Sequence, residues 1–304
     1  MTTRDIIDAH HHLWSLEGNM YPWLQKPVQI GVGGNVDSIA SDYLLSDYRE
    51  DTKSYNLLAS VHIEAHFDRR FPVDETAWLS QMAKESGGPA AIVGYAALED
   101  PNVKEILERH LEHGDCFKGI RQILCNHENP EFCFVQRDDF MRDAQWRKGF
   151  GLLAELGLSF DLMVYPHQLP DAIDLAASFP ETQIIINHGA MPHDRSKNGL
   201  AQWRADLVKL AGYENVSMKV SGLGQTDWNW TGQTIRPMIR DLIEIFGPKR
   251  AMFASNFPVD KAYSSFDVLF GAFEKAVEDL SKDEQDALFW GTANRVYRLN
   301  AAPA

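Results

Sequence analysis

The sequence predicts an α/β protein, a single-domain (β/α)8 barrel of the TIM type over residues 1–304. Three observations predict it. Runs rich in β-formers alternate with helix-like runs eight times. The β-rich runs are short and apolar through their length, as parallel strands buried on both faces are. Nearly every such run ends in a polar or charged group, and a (β/α)8 barrel carries its chemistry at the C-terminal ends of its strands.

The predicted strands are Ile6–Ala9, Leu57–Ile63, Ala90–Ala96, Phe117–Leu124, Ser159–Val164, Gln183–Asn187, Val216–Val220 and Ala251–Ser255. Helix signals stand between them. Asp100 and Pro101 read as N-cap and first helical position, Val103, Ile106, Leu107 and Leu111 as an apolar stripe, and Gly114 as the stop. Ile235, Met238, Ile239, Leu242, Ile243 and Phe246 repeat the pattern before Gly247. The run "SKDE", Ser281 to Glu284, reads as a capping box. The stretch from Trp14 to Tyr48 is long for a βα connection and is expected to fold over the barrel mouth. A doubly wound open sheet is the competing architecture, but no phosphate-binding glycine motif follows the first strand.

With 43 acidic and 29 basic residues the formal net charge is −14, which argues against nucleic acid and anionic membrane as partners. No apolar stretch reaches the length of a membrane span. The N-terminus lacks the basic start and long apolar run of a signal peptide, so the expected location is the cytoplasm. The cysteines, three in number and without C-x-x-C spacing, read as reduced thiols. The expected partner is a small-molecule substrate, and the sequence leaves a homo-oligomer open.

Position selects the candidate residues. In "IIDAHHHLW" the side chains of His10 and His12 point to the same side of an extended segment, and His11 points away. An H-x-H at a strand end suits a two-nitrogen metal site or a pair of bases for water. Its place inside an apolar strand pattern, after Asp8, argues against a purification tag. His188 follows the run "QIIIN", and Asn256 ends the last strand with Asp260 after it. Glu64, with His66 beyond it, reads as a metal ligand, a base or an orienter of a histidine. Arg121 is either a structural ion-pair member or a fork for a substrate carboxylate or carbonyl. Lys219 is an ion-pair member or an oxyanion stabiliser, and His62 is packed or inward-facing. His127 and His167 lie in loops, as pocket residues or in local bonding. Trp228 either stacks on a sugar ring or packs its loop. His110 and His113, on a charged helix, are expected to be solvated.

"DAHHHLW", "VHIEA", "GIRQIL", "INHGAMP", "FASNFPVD" and "LFWGTANRVYRL" resemble amidohydrolase-related TIM-barrel hydrolases over almost the whole chain. More narrowly the chain resembles the branch of sugar-acid lactonases such as L-fuconolactonase and L-rhamnonolactonase. It is more distantly similar to 2-pyrone-4,6-dicarboxylate lactonase and 4-sulfomuconolactone hydrolase. The resemblance matches its H-x-H to His10 and His12, its strand-six histidine to His188, its strand-five histidine to His167 beyond a Tyr-Pro, and its strand-eight residue to Asn256. With the placement at the strand ends and loops, the expected catalytic residues are His10, His12, Glu64, His188 and Asn256, and the expected substrate-binding residues Arg121, His127, His167, Lys219 and Trp228. The family pattern puts an aspartate, ligand and proton acceptor, where this chain has Asn256. The metal implied at His10, His12 and His188 is therefore one weakly held divalent ion, zinc or manganese, or none. The activity implied is hydrolysis of a small sugar-acid lactone. The alternatives are a pyrone or muconate lactone hydrolase and a metal-dependent decarboxylase of the aminocarboxymuconate-semialdehyde type.

Overall fold

The computed structural model describes residues 3–28, 31–32 and 34–303. Eight strands form one sheet in sequence order, each parallel to the next. They are β1 (Asp5–His11), β2 (Asn56–Ile63), β3 (Ala91–Gly94) and β4 (Phe117–Ile123), then β5 (Ser159–Met163), β6 (Ile184–Ile186), β7 (Val216–Val220) and β8 (Ala251–Phe253). Each is followed by a helix: α1 (Leu45–Asp51), α2 (Asp74–Ser86), α3 (Val103–Leu111), α4 (Ala144–Glu155), α5 (Leu169–Ser178), α6 (Lys197–Leu210), α7 (Gly232–Phe246) and α8 (Phe266–Ala276). The expected (β/α)8 barrel is the fold.

Two short helices, α9 (Lys282–Asp286) and α10 (Thr292–Tyr297), end the chain. The Ser281–Glu284 capping box opens α9, and Gly247 caps α7, whose predicted apolar stripe is buried. The third helix begins later than its sequence signal. Asp100 Oδ1 accepts the Asn102 N–H at 2.7 Å, so Asp100 and Pro101 form a turn and α3 starts at Val103.

The barrel closes where β8 meets β1. A parallel bridge pairs His11 with Phe257, the His12 N–H donates to Phe257 O at 2.7 Å, and the Asn256 N–H donates to His10 O at 2.7 Å. Asp8 ties this seam together. Its buried carboxylate accepts from the Ser255 N–H (2.8 Å), the Ser255 hydroxyl, the His10 N–H (3.2 Å) and the Tyr48 hydroxyl of α1 (2.9 Å).

The interior is split by chemistry. Ile7, Ala9, Val61, Val93, Ile185 and Met252 form an apolar inner cluster with Ala293, Val296 and Tyr297 of α10, which plugs it. Across from them β5 and β7 face inward with Asp161 and Lys219, a fully buried ion pair. Tyr297 donates its hydroxyl to the same Asp161 carboxylate, at 3.0 Å from Oδ2. The residues of β1 to β8 that point outward, among them Ile92, Ile120, Phe160, Leu162 and Phe253, pack under the helices in the main core.

The long β1–α1 connection has buried anchors in Trp14, Tyr21, Leu24 and Tyr43. Its Trp23, Val32 and Val36 line the cavity described below. Gln29, Ile30 and Gly33 of this segment lie outside the described residues. Among the described residues no helix is long and apolar enough to cross a membrane.

His110 departs from the expectation of a solvated side chain. It is fully buried, bonded to Thr76 Oγ1 (2.9 Å) and Tyr95 O (3.0 Å), and stacked on Phe117. The reason is its register: Val103, Leu107 and His110 are the buried face of α3, spaced i, i+4, i+7. His113, three residues on, is half-buried.

The Asp8→Ala variant strands four donors at the seam, each worth about 1–3 kcal/mol when left buried and unpaired. We expect urea denaturation to show a stability loss of about 3 kcal/mol or more. A loss below about 1 kcal/mol would mean that backbone pairing alone holds the seam.

Candidate active site

A cavity of about 600 Å³ opens at the C-terminal ends of the strands. His12, Arg121, His188 and Asn256 line it, with His66 and the β1–α1 connection at its sides. His10 is fully buried directly beneath, its ring centroid 4.9 Å from that of His12 and 4.5 Å from that of His188.

β1 aims the histidines. A register shift between Asp8 and His11 interrupts simple alternation, so Ala9 belongs to the inner cluster and His10 also turns to the inner side. His11 faces outward, stacked on Tyr48 at 4.1 Å and bonded to Ser60 Oγ at 3.0 Å, as the alternation of the H-x-H pair requires.

Hydrogen bonds fix the tautomers. His12 Nδ1 lies 2.7 Å from Ile63 O, so it carries the proton and Nε2 presents a lone pair. The Lys219 ammonium lies 3.3 Å from His10 Nδ1 and donates to it, so the His10 proton sits on Nε2, 3.3 Å from His12 Nε2. Asn256 Nδ2 donates to Asp260 Oδ1 at 2.8 Å, which leaves Asn256 Oδ1 facing His12 Nε2 at 3.3 Å. His10 Nε2–H thus donates to His12 Nε2 in a long bond of 3.3 Å, and Asn256 Oδ1 stands beside the same nitrogen as a further acceptor. A water molecule taking the place of that long bond would accept from His10 and donate to His12 and Asn256.

Burial and the Lys219 charge hold His10 well below the ordinary histidine range. Burial and Arg121 do the same for His12 and His188. All three are neutral at neutral pH. His188 Nδ1 lies 2.9 Å from Ser221 Oγ. Its backbone opens a run in the left-handed region, with φ of 53°, 60°, 59° and 49° from His188 to Met191. Three of these four residues are not glycine, so the turn stores strain of the kind concentrated at functional sites. Trp203 of α6 helps to hold it, donating Nε1–H to Gly189 O at 2.7 Å.

Glu64 does not stand free as a base or a ligand, which corrects two of the roles considered for it. Its Oε1 accepts from Arg121 Nε at 2.9 Å and its Oε2 from Arg69 Nη1 at 2.8 Å. Burial alone would raise its pKa, but Arg69 and Arg121 overcome this and hold it well below the carboxylate range. Arg121 spends Nε and Nη2 on Glu64, and its Nη1 has no hydrogen-bond partner among the described residues. The fork is thereby aimed, with one nitrogen left for a ligand.

Lys219 lies below the cavity floor rather than on the lining. It is fully buried, paired with Asp161, and lowered by burial to about 8. Its contact upward is His10. It is therefore an ion-pair member and sets a tautomer, rather than touching substrate.

Three other expected binding residues are not on the described cavity lining. His127 and His167 cluster with His193 on the loops after β4, β5 and β6, with ring centroids 4.8–6.5 Å apart. His127 is bonded locally, its Nδ1 accepting the Asn129 N–H at 2.9 Å. Trp228 is 48% exposed and donates Nε1–H to Gln225 O (3.0 Å) and Val32 O (3.2 Å), so it packs its own loop against the β1–α1 connection.

Arg69, Asp161 and Tyr297 are not among the residues that position selects. Asp161 carried a signal, a charge in the middle of the apolar run "SFDLMV". Arg69 carried none, since its value lies in the turn that brings it back to Glu64.

A barrel of this topology with histidine, arginine and amide groups at its strand ends defines a hydrolase-like site. The chain belongs to the amidohydrolase family: the family model matches residues 7–299. It is 42% identical to the uncharacterized protein y4mH of Sinorhizobium fredii over 97% of this chain and 98% of that one. It is 31% identical to the L-fucono-1,5-lactonase of Burkholderia multivorans, over 96% of each chain. In structure it is similar to an amidohydrolase from Burkholderia multivorans solved with bound zinc, with TM-score 0.81 and 28% identity over 98% of this chain and 99% of that one.

Whether these residues suit a metal is decided by charge. The 3.3 Å separations of His10 Nε2, His12 Nε2 and Asn256 Oδ1 suit the ligand edges of a tetrahedral ion. The protonation does not. A charged Lys219 keeps the His10 proton on the nitrogen that would have to ligate, and the two oxygens of Glu64 are spent on arginines. Among the described residues no group of three or more His, Cys, Asp or Glu side chains could hold a metal. The site does not fit a tightly held divalent ion.

Calorimetric titration with zinc at pH 7 is expected to give a Kd above roughly 1 μM. The Asn256→Asp variant should tighten it by about tenfold or more, because a carboxylate replaces a neutral amide. Nanomolar binding by the unmodified protein would contradict the charge argument.

Proposed function

We propose that the protein opens a small sugar-acid lactone, of the 1,5-lactone kind named for its Burkholderia multivorans relative, by activating water without a bound metal. The observation that carries this reading is the set of one donor and two acceptors formed by His10, His12 and Asn256, next to the free nitrogen of Arg121.

The water accepts a hydrogen bond from His10 Nε2–H and donates to Asn256 Oδ1 and His12 Nε2. As its oxygen attacks the lactone carbonyl, its proton passes to His12 Nε2, and Arg121 Nη1 receives the charge that develops on the carbonyl oxygen. The resulting His12 imidazolium keeps its Nδ1–H on Ile63 O. Burial and Arg121 make that imidazolium a strong acid. It therefore gives up its proton readily as the bond from carbon to the ring oxygen breaks. The ring oxygen leaves as a hydroxyl, and the carboxyl group formed, which keeps the second proton of the water, releases it to solvent to give the hydroxy-acid carboxylate. His188, neutral and on the same wall, orients the leaving oxygen. Lys219 acts from below, by holding the His10 proton on the nitrogen that faces the water.

A pH-indicator screen of aldonolactones, with pyrone and muconate lactones alongside, tests this. Protein of measured metal content should open an aldonolactone, and chelation should leave kcat/KM within about twofold. A loss of more than about tenfold that zinc restores would sink the metal-free mechanism. Failure to open any lactone would sink the substrate class.

The His12→Ala variant removes the proton acceptor, and kcat should fall by about 10²–10⁴. The Arg121→Met variant, which removes the oxyanion donor, should lower kcat by about 10²–10³. Retention of kcat within threefold by either variant would remove that residue from the reaction.

A further inference from the structure

Asn256 poses a problem of orientation. Its Oδ1 faces His12 Nε2, which already presents a lone pair because Nδ1–H is held by Ile63 O. Two acceptors 3.3 Å apart are not a favourable contact by themselves. Turned over, the amide would place its NH2 on His12 Nε2 and form a good hydrogen bond. That bond would compete with the long one of 3.3 Å from His10 Nε2–H for the lone pair that the water's proton must reach.

The described contacts of the amide name what prevents the turn. Asn256 Nδ2 donates to Asp260 Oδ1 at 2.8 Å, and an ionised carboxylate accepts only, so the oxygen of a turned amide would meet an oxygen there. Asp260 is 1% exposed. It also accepts from the Tyr263 hydroxyl at 3.1 Å, and it sits one turn beyond Asn256, its N–H donating to Asn256 O at 3.1 Å. Its other oxygen, Oδ2, is buried with no partner among the described residues. A buried carboxylate with one bare oxygen is costly. Burial lifts it to about 7, so it is ionised in mildly alkaline solution. The Asn256 backbone is fixed as well, at φ +58° with its N–H on His10 O, so the flip of the amide is the freedom left for Asp260 to remove.

We propose that Asp260 is a positioning residue for the reaction: it locks the Asn256 amide with its oxygen toward the water site and keeps the amide NH2 off the His12 lone pair. The inference rests on the water-activating reading of the site. It assigns this chain a carboxylate behind the amide, one step removed from the water. Asp260 touches neither water nor substrate. Its effect passes through Asn256.

The test compares Asp260→Ala and Asp260→Glu with the unmodified protein at pH 8, by lactone kinetics and by NMR of the Asn256 side-chain amide, assigned by its absence in Asn256→Asp. With Asp260→Ala, kcat should fall about 10–100-fold while KM stays within about threefold, the size of effect that loss of an orienting partner has at other active sites. Asp260→Glu, which can still accept from Nδ2, should recover most of kcat. The Asn256 amide protons should move upfield in Asp260→Ala and return toward their original position in Asp260→Glu. Two results overturn the proposal: kcat unchanged within twofold in Asp260→Ala, or an unmoved Asn256 amide signal. Should the unmodified protein open no lactone, the reading under Proposed function fails, and the amide signal alone decides the locking of Asn256.

Discussion

Everything at the mouth of this barrel depends on the seam between its first and last strands. His10 and His12 belong to one end of the chain and Asn256 to the other, and two backbone hydrogen bonds with one carboxylate bring them together. Asp8 accepts from both sides of the seam and from α1, so it also sets the depth at which His10 enters the interior. The shift of register on β1 sends His10 inward beside Ala9. A seam displaced by one residue would turn the pair toward the helices, since each step along a strand reverses its side chains.

Around the seam the site is organised by ion pairs, Lys219 with Asp161 and Arg69 and Arg121 with Glu64. Lys219 is anchored by Asp161, itself held by Tyr297 and Asn187, and hands its directional effect to His10. Arg69 and Arg121 share Glu64, and only Arg121 reaches the cavity. Both ion pairs are largely buried, where their net contribution to stability is small or negative but their geometry is stiff. Their value here is directional. They decide which nitrogen of His10 bears a proton and which nitrogen of Arg121 is free. The same positive charges that, together with burial, keep the histidines neutral also make the set of donors unsuited to a further cation.

The barrel was legible in the sequence because its signals are local. Apolar runs, turn residues and the alternation that pairs His10 with His12 need no knowledge of distant neighbours. The alternation also assigned His11 to the outer face, where it stacks on Tyr48. Strand ends named Arg121, His188 and Asn256, and the structure brings these to one cavity. What local pattern does not reveal is which partner a polar group meets. Lys219 and Glu64 were left open between roles because the choice depends on Asp161, Arg69 and Arg121, each contributed by another part of the chain. The sequence contains His127, His167 and Trp228 in loops after strands, but loop side chains are not aimed by the pleat, and these turn to their own neighbours. His110 differs for the opposite reason: its flanks are charged, but its helical register with Val103 and Leu107 turns it inward.

The plug formed by α10 has a consequence for how the chain reaches its working form. Tyr297 completes the hydrogen bonding of Asp161, and α10 fills the inner apolar cluster against β1. During synthesis β1 emerges first, and its free edge must wait for β8 while some 240 further residues are made, about 10–50 s at ordinary elongation rates. Through that interval the first strand is an unpaired edge, the feature most prone to wrong pairing. The polar groups at its end shorten the exposed apolar stretch to Ile6, Ile7 and Ala9. The histidines that define the finished site thus also blunt the edge of an unfinished sheet.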